Sequence, residues 1–216
     1  MIKTGLPKID FFRTWYFEGA ELVGEYRMPK LSPTRSIPRN VISLSEISSV
    51  KDRQNCWVDH FVDDFKFNSA WNNLDLKLPV YRQFEGVIGF DWSLDEAFQP
   101  GMNIWHCTKS RNADYYLQQN GIDVIPVASW VGRDSFRWCL DGLPERSNIA
   151  VSTNGCKSSL DSLRIFLDGV EVVQDCLRPS SLIVCGVPLK ELSRYDNVIY
   201  YENYSKRRRR RSTGGR

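Results

Sequence analysis

The sequence predicts an α/β domain with a mainly parallel sheet, built from βαβ units and covered by helices on both faces. Short apolar runs of strand length alternate with longer segments whose apolar residues recur at helical spacing. The chain has 216 residues, of which 42% are hydrophobic and 25% charged, which is typical of a globular domain and excludes a wholly disordered chain. The pattern leaves open whether the sheet stays open or curls towards a barrel.

Residues 1–50 are predicted to form an extended arm that packs on the body of the protein. Four prolines and many Ser and Thr residues interrupt this segment. A free disordered segment rarely holds so many aromatic residues, and here they are Phe11, Phe12, Trp15, Tyr16 and Phe17. The α/β domain is assigned to residues 51–205. Its first part, residues 57–85, is rich in aromatic and Asp side chains and is predicted to be a surface loop or short helix.

From residue 86 onward, strands and helices are predicted in alternation. The strands are predicted at residues 87–90, 122–128, 148–152, 181–186 and 197–201. Pro126 indicates a bulge or the end of its strand. A helix over residues 110–119 ends at Gly121, and a second over residues 135–140 is capped by Asp134.

The clearest helix runs from about residue 160 to residue 177. Its apolar residues follow helical spacing and form one stripe: Leu160, Leu163, Phe166, Leu167, Val170, Val173 and Leu177. Ser158 or Ser159 is the predicted N-cap, and Pro179 prevents the helix from continuing.

The six cysteines are predicted to be reduced thiols of a cytoplasmic protein. They contain no C-x-x-C pair, and the chain has only two histidines, so a zinc finger or ribbon is not expected. Cys156 differs from the others, because it follows Asn154-Gly155 at a predicted strand end. As a nucleophile it would need a base, and His106 is the only near candidate in motif order.

Several motifs lie together between residues 86 and 186: Gly86-Val87-Ile88-Gly89-Phe90-Asp91-Trp92-Ser93, Ser110-Arg111-Asn112, Gly121-Ile122-Asp123-Val124-Ile125-Pro126, Ser129-Trp130, Ser135-Phe136, Asp141-Gly142, Val151-Ser152-Thr153-Asn154-Gly155-Cys156 and Leu177-Arg178-Pro179. In these motifs the segment resembles a prokaryotic and phage family, domain of unknown function 4417. The chain departs from the family where a Tyr-Arg-Asn-Arg-like run is expected, so only Arg111 and Asn112 carry over there. The family has no established activity, and the resemblance implies only a phage or mobile-element context in a bacterial host.

Polar side chains follow the predicted strands, where parallel α/β sheets bind their ligands. The candidate ligand-binding residues are Asp91, Ser93, Arg111, Asn112, Ser129, Trp130, Ser152, Thr153 and Gly155. Asp91 is a candidate general base, Arg111 a candidate anion ligand, and Trp130 a candidate stacking platform. Asp91, Arg111 and Ser152 are the candidates for catalysis.

Each candidate also has a structural interpretation. Asp91 can cap the turn after its strand, and Ser152, Thr153 and Asn154 can form a turn with their own backbone. Trp130 can cover the core, and Arg111 can pair with a nearby acid such as Asp114. No histidine-rich metal site is expected. A magnesium site made of Asp91 and Asp95 remains an alternative.

An arginine-rich tail, residues 206–216, is predicted to be disordered and to bind nucleic acid. It carries seven of the 29 basic residues and no acid, which leaves 22 basic and 26 acidic residues in the rest of the chain, a net charge of −4. The binding residues are Lys206, Arg207, Arg208, Arg209, Arg210 and Arg211, and they would bind DNA or RNA without sequence preference. No run of about 18 apolar residues is present, and no membrane association is expected.

Two functions follow from these features. The first is a nucleic-acid-associated accessory protein of a phage or mobile element, anchored by the tail. The second is a small enzyme, hydrolase or nuclease-like, that acts on a phosphorylated or sugar-containing ligand at the carboxyl ends of the strands. The residues leave the reaction and any cofactor undefined.

Overall fold

The computed structural model describes residues 11–202. A small antiparallel pair comes first, formed by β1 (Leu22–Val23) and β2 (Met28–Pro29). A parallel sheet follows in the order β3 (Asn40–Ser43), β4 (Cys56–Asp59), β5 (Gly86–Ile88) and β6 (Val124–Ile125). A second parallel sheet consists of β7 (Asn148–Ser152), β8 (Ser181–Cys185) and β9 (Val198–Tyr201).

The two parallel sheets are continuous. A parallel bridge pairs Val127, just after β6, with Ala150 of β7. Two backbone hydrogen bonds support this bridge: the Ala128 amide donates to the Ala150 carbonyl at 2.9 Å, and the Ala150 amide donates to the Pro126 carbonyl at 2.8 Å. Strands β3 to β9 therefore lie side by side in chain order, as the strands of β/α barrels do.

Four α-helices connect the strands or precede them: α1 (Asn68–Asn72), α2 (Leu74–Tyr81), α3 (Pro100–Gln119) and α4 (Leu160–Leu177). Short 3-10 helices form the other connections: Thr14–Phe17, Leu44–Glu46, Arg53–Asn55, Asp64–Lys66, Arg133–Arg137 and Lys190–Arg194. Helix α4 begins as expected, because the Ser159 side chain accepts a hydrogen bond from the Ser162 amide. None of the helices between residues 11 and 202 has both the length and the apolar character needed to cross a bilayer.

The sheet curls towards a barrel, an alternative that the sequence pattern did not decide. One face of all seven strands contributes to a single apolar cluster, made of Val41, Trp57, Ile88, Ile125, Val127, Ala150, Ile183 and Cys185 with the partly buried Phe61, Ile199 and Tyr201. Gly86 lies opposite Trp57 in the ladder, and a Cβ atom there would lie 2.5 Å from the Trp57 ring. The Tyr201 hydroxyl spans the seam between β9 and β3 and donates to the Pro38 carbonyl at 2.6 Å.

The helices pack on the outer face of this curved sheet. The outward residues of β3 to β6 pack with α1, α2 and α3, whereas those of β7 to β9 pack with α4. The expected α/β class with parallel strands is confirmed. Among the described residues, the helices pack on the outer face and none contributes to the inner cluster, which consists of residues in the strands and of Phe61 and Val127 beside them.

Most elements after residue 86 lie close to their predicted positions, while the earlier part differs. Residues 57–85 hold strand β4 as well as α1 and α2, and residues 1–50 contribute the edge strand β3. The predicted boundary between the arm and the α/β domain, at residue 50, thus lies between two paired strands, β3 and β4. Helix α3 begins ten residues before the predicted start at residue 110, and the predicted helix over residues 135–140 is a 3-10 helix at Arg133–Arg137. The expected tail lies outside the described residues.

Candidate functional site

A cleft of about 740 Å³ opens at the carboxyl ends of the parallel strands. Its walls are the loops after β4, β5, β6 and β7 together with the first two turns of α4. Parallel strands all end at this side of the sheet, so the segments that follow them converge there. The volume is that of a pocket for a small organic ligand.

Asp91 is a half-buried carboxyl group in the wall of the cleft. The Ser129 hydroxyl, which follows β6, donates a hydrogen bond to Asp91 Oδ1. Burial raises the pKa of Asp91, the Ser129 hydrogen bond and the Arg111 guanidinium lower it, and the nearby charge of Asp64 raises it, with a net value of about 6. A carboxyl group with this pKa changes its protonation near neutral pH.

The structure brings together six of the nine ligand-binding residues predicted from sequence. Those that line the cleft are Asp91, Ser93, Ser129, Trp130, Ser152 and Gly155. Arg111, Asn112 and Thr153 do not line it. The catalytic candidates are divided in the same way, since Asp91 and Ser152 share the cleft and Arg111 lies behind its wall.

Arg111 is a buried structural residue that is 1% exposed. Its guanidinium donates to three backbone carbonyls, those of Asp141 at 3.0 Å, Val127 at 3.1 Å and Cys139 at 2.8 Å. These contacts tie helix α3 to the chain after β6. The predicted ion pair with Asp114 is absent from the ion pairs of the described residues, and an anion would have to displace the carbonyls.

Thr153 and Asn112 also have structural surroundings. The Thr153 hydroxyl accepts from the Val187 amide at 2.7 Å and donates to the Val187 carbonyl at 3.2 Å, which joins the loops after β7 and β8. Asn112 lies on α3 and is 1% exposed. Neither side chain is placed to contact a ligand in the cleft.

The cleft-lining candidates have internal partners as well. Ser93 donates its hydroxyl to Asp64 at 2.9 Å, and the Ser152 hydroxyl accepts from the Asn154 amide at 3.1 Å, as in a turn. Trp130 donates its indole N–H to the Ile165 carbonyl at 3.1 Å. Its ring lies against Gly169 of α4, where a Cβ atom would come within 2.0 Å. Trp130 nevertheless lines the cleft.

The acidic character of the cleft was not predicted from the sequence. Four carboxyl groups and one ammonium group line it: Asp63, Asp91, Asp95, Glu96 and Lys66. Lys66 pairs with Asp63 at 3.2 Å. The signal that could have found this feature is the acidic run Asp63-Asp64, which follows the apolar strand β4 as Asp91 follows β5. Because the sequence predicts a loop or short helix in place of β4, it does not place this run at the sheet edge.

Two further candidates are a magnesium site and a cysteine nucleophile. Asp91 and Asp95 both line the cleft, but no three His, Cys, Asp or Glu side chains between residues 11 and 202 are grouped to hold a metal. Cys156 lines the cleft, and burial raises the pKa of its thiol, which disfavours the thiolate. The Nδ1 atom of His106 lies 2.6 Å from the Ser93 carbonyl.

A second buried carboxyl group, Asp114 of α3, contacts the strand that leads to Asp91. Its Oδ1 atom accepts from the Phe90 amide at 3.1 Å, and its Oδ2 atom has no hydrogen-bond partner among residues 11–202. Gly89 makes room for it, since a Cβ atom there would lie 2.2 Å from Oδ2. Burial raises the pKa of Asp114 to about 7.

A family model described as a domain of unknown function (DUF4417) matches residues 20–202. The chain is 29% identical over 166 residues to the Gene 1 protein of Mycobacterium phage D29, an alignment that covers 74% of this chain and 60% of that protein. It is also 29% identical over 189 residues to the Gene 1 protein of Mycobacterium phage L5, with 86% of this chain and 82% of that protein covered. The chain thus spans about three fifths of the D29 relative.

No solved structure matches the chain. Both relatives are phage proteins, which confirms the context that the motifs implied. Since the family match extends from the hairpin β1–β2 to the end of β9, the chain belongs to the DUF4417 family.

Proposed function

We propose that this protein is an enzyme whose active site is the strand-end cleft and in which Asp91 transfers a proton to or from the ligand. One observation carries the proposal: Asp91 lines a cleft of about 740 Å³ and has a pKa raised to about 6. A carboxyl group with a pKa near the working pH is suited to general acid or base catalysis. Ser129 orients the carboxyl group by its hydrogen bond.

Charge favours one of the two expected ligand classes. The four carboxyl groups of the cleft repel a phosphorylated ligand, and among the lining residues between 11 and 202 only Lys66 would attract one. A sugar-containing ligand without phosphate avoids this repulsion. Its hydroxyl groups have partners in the Ser152, Ser158 and Ser162 side chains, all of which line the cleft, and Trp130, which also lines it, offers an apolar contact.

Matched ligand pairs test this assignment. Calorimetric titration would compare ribose with ribose 5-phosphate and adenosine with adenosine 5′-monophosphate. The uncharged member of a pair should bind at least about tenfold more tightly, a difference of about 1.4 kcal/mol. Tighter binding of the phosphorylated members, or no binding by either uncharged ligand, would reject the sugar class.

Turnover tests the role of Asp91. Ligands that bind are incubated with the protein, and products are followed by mass spectrometry. Asp91→Asn should lower the rate by roughly 10²- to 10⁴-fold, the usual contribution of a general acid or base. Asp175→Asn, at an exposed position on α4, removes the same charge as a control. Equal rates in wild type and Asp91→Asn would show that Asp91 is not the proton-transferring group.

A second candidate function is non-specific nucleic-acid association, and the observation that favours it is the uneven charge of the chain. Residues 206–216 carry seven cations and no acid, while the rest has a net charge of −4. About six phosphate contacts would give duplex DNA a salt slope near −5. A cytoplasmic location in a bacterial host belongs to the same proposal, in keeping with phage relatives and with cysteines that are all free thiols.

Fluorescence anisotropy tests the second candidate. Full-length protein and a variant with Lys206 to Arg211 changed to Gln would be titrated with random duplex and single-stranded DNA and RNA at several salt concentrations. The full-length protein should bind with a steep salt dependence, and the variant should not bind. Equal affinity of the two proteins would show that the tail is not the binding element.

A further inference from the structure

The chain leaves the sheet on the side where the acidic cleft opens. Strand β9 ends at Tyr201 and is parallel to β8, which is parallel to β7. The cleft lies beyond the carboxyl ends of β4 to β7. Glu202, the last described residue, therefore lies at the rim of this end of the sheet, two strands away from β7.

The cleft and the arginine-rich tail (residues 206–216) have complementary charge. The cleft is lined by Asp63, Asp91, Asp95, Glu96 and a single lysine, Lys66, which is already paired with Asp63. The tail has seven cations and no acid. Attraction between the two needs no second molecule, and the tether gives the tail a high effective concentration at the cleft.

We propose that the arginine-rich tail binds in the acidic cleft of its own chain. Adjacent strands lie about 4.8 Å apart, so the step from β9 to β6 spans about 14 Å. Extended chain covers about 3.4 Å per residue, so four to five residues after Glu202 suffice. The first cation, Lys206, lies at that distance along the chain, and the run to Arg211 extends across the cleft.

Aromatic walls add to the fit. Phe61 and Trp130 are half-buried and line the cleft beside the carboxyl groups. Arginine pairs with carboxylates in a bidentate manner and also stacks on aromatic rings, so such walls suit arginine side chains. The occupied cleft excludes a small ligand. Insofar as this inference rests on the proposed function, the tail is then an internal competitor for the active site, and nucleic acid that binds the tail releases the cleft.

Zero-length cross-linking of the full-length chain tests the docking directly. A carbodiimide joins an amine to a carboxyl group in contact with it, and Lys206 is the one lysine in residues 203–216. Mass spectrometry should find Lys206 joined to Asp63, Asp95 or Glu96. Mixing isotope-labelled and unlabelled protein should place the bond within one chain. The cross-link should vanish near 1 M salt, where the screening length is about 3 Å.

Two matched double variants sharpen the experiment. Asp63→Asn with Glu96→Gln removes two charges from the cleft, whereas Glu18→Gln with Asp175→Asn removes two exposed charges that do not line it. The first pair should lower the yield of Lys206 cross-links to Asp95, one of the two cleft acids that remain, at least about threefold, and the second pair should not change it. No Lys206 cross-link, equal yields at exposed acids elsewhere, or bonds only between chains would overturn the proposal.

Nucleic-acid titration separates this inference from the functions proposed above. If the cleft holds the tail, Asp63→Asn with Glu96→Gln should bind duplex DNA more tightly than the control pair. If no variant binds DNA, the nucleic-acid function is rejected. The Lys206 cross-link then decides whether the tail docks in the cleft. Conversely, a clear Lys206 cross-link in wild type, with no ligand binding or turnover even when Lys206 to Arg211 are changed to Gln, rejects the enzymatic proposal alone.

Discussion

The buried carboxyl group of Asp114 makes stability depend on pH. Its pKa is raised from 3.8 to about 7 by burial, so the folded protein holds a proton that the unfolded chain releases. The free energy of unfolding therefore falls as the pH rises from about 4 to 7. Asp114→Asn should remove this pH dependence. Between pH 4 and pH 8, the free energy of unfolding of the variant should rise by on the order of 2–4 kcal/mol relative to that of wild type.

Urea unfolding at each pH measures the difference in the free energy of unfolding between wild type and Asp114→Asn. His60 is buried with a pKa lowered to about 4, and it affects both proteins equally, so it cancels. Asp175→Asn is the control at an exposed position. A constant difference between Asp114→Asn and wild type across this range would mean that Asp114 is ionised in the folded protein at all of these pH values.

At the scale of elements, helix α4 and the cleft are joined through one glycine. Gly169 faces the Trp130 ring, and a Cβ atom there would lie 2.0 Å from it. Gly169→Ala should displace the indole and weaken its bond to the Ile165 carbonyl, costing roughly 1–3 kcal/mol. The gain in helix propensity, about 1 kcal/mol, does not offset this cost. Urea unfolding at one pH provides the measurement.

Gly101→Ala is the matched control, because Gly101 lies in helix α3 and a Cβ atom there would meet nothing within 4 Å. It should be neutral or slightly stabilising. If both substitutions have the same effect, the close contact between Gly169 and Trp130 does not limit the packing of α4.

At the scale of the whole molecule, one inner cluster holds both parallel sheets together. Trp57 of β4 is fully buried in it, beside residues of β6, β7 and β8. Trp57→Ala should cost about 3–5 kcal/mol. Because the cluster is shared, circular dichroism and tryptophan fluorescence should still report a single unfolding transition.

Phe65→Ala serves as the comparison, since Phe65 is 72% exposed and its loss should change stability by less than about 0.5 kcal/mol. Two separate transitions in Trp57→Ala would show instead that the sheets β3–β6 and β7–β9 fold independently.

The sequence by itself determined the elements whose signal is local. The apolar stripe from Leu163 to Leu177 and the Ser159 cap specify α4, and the apolar runs of β7 and β8 specify strands at their observed positions. The residues after β5 and β6, Asp91 and Ser129, were also predicted at the site, because in a parallel sheet the position of a ligand follows from where strands end.

Only the tertiary structure decided the features that depend on distant residues. Strand β3 lies in a segment interrupted by prolines and β4 in one rich in aromatic and Asp side chains, and both become strands by pairing within the sheet that β5 continues. The roles of Arg111 and of the acidic cleft likewise depend on contacts made across the chain. Arg111 has the chemistry of an anion ligand, but three carbonyls from the chain after β6 occupy its donors. Within the curled sheet, the Trp57 ring fills the space left by Gly86, 29 residues further along the chain, and a local sequence pattern does not predict such a contact.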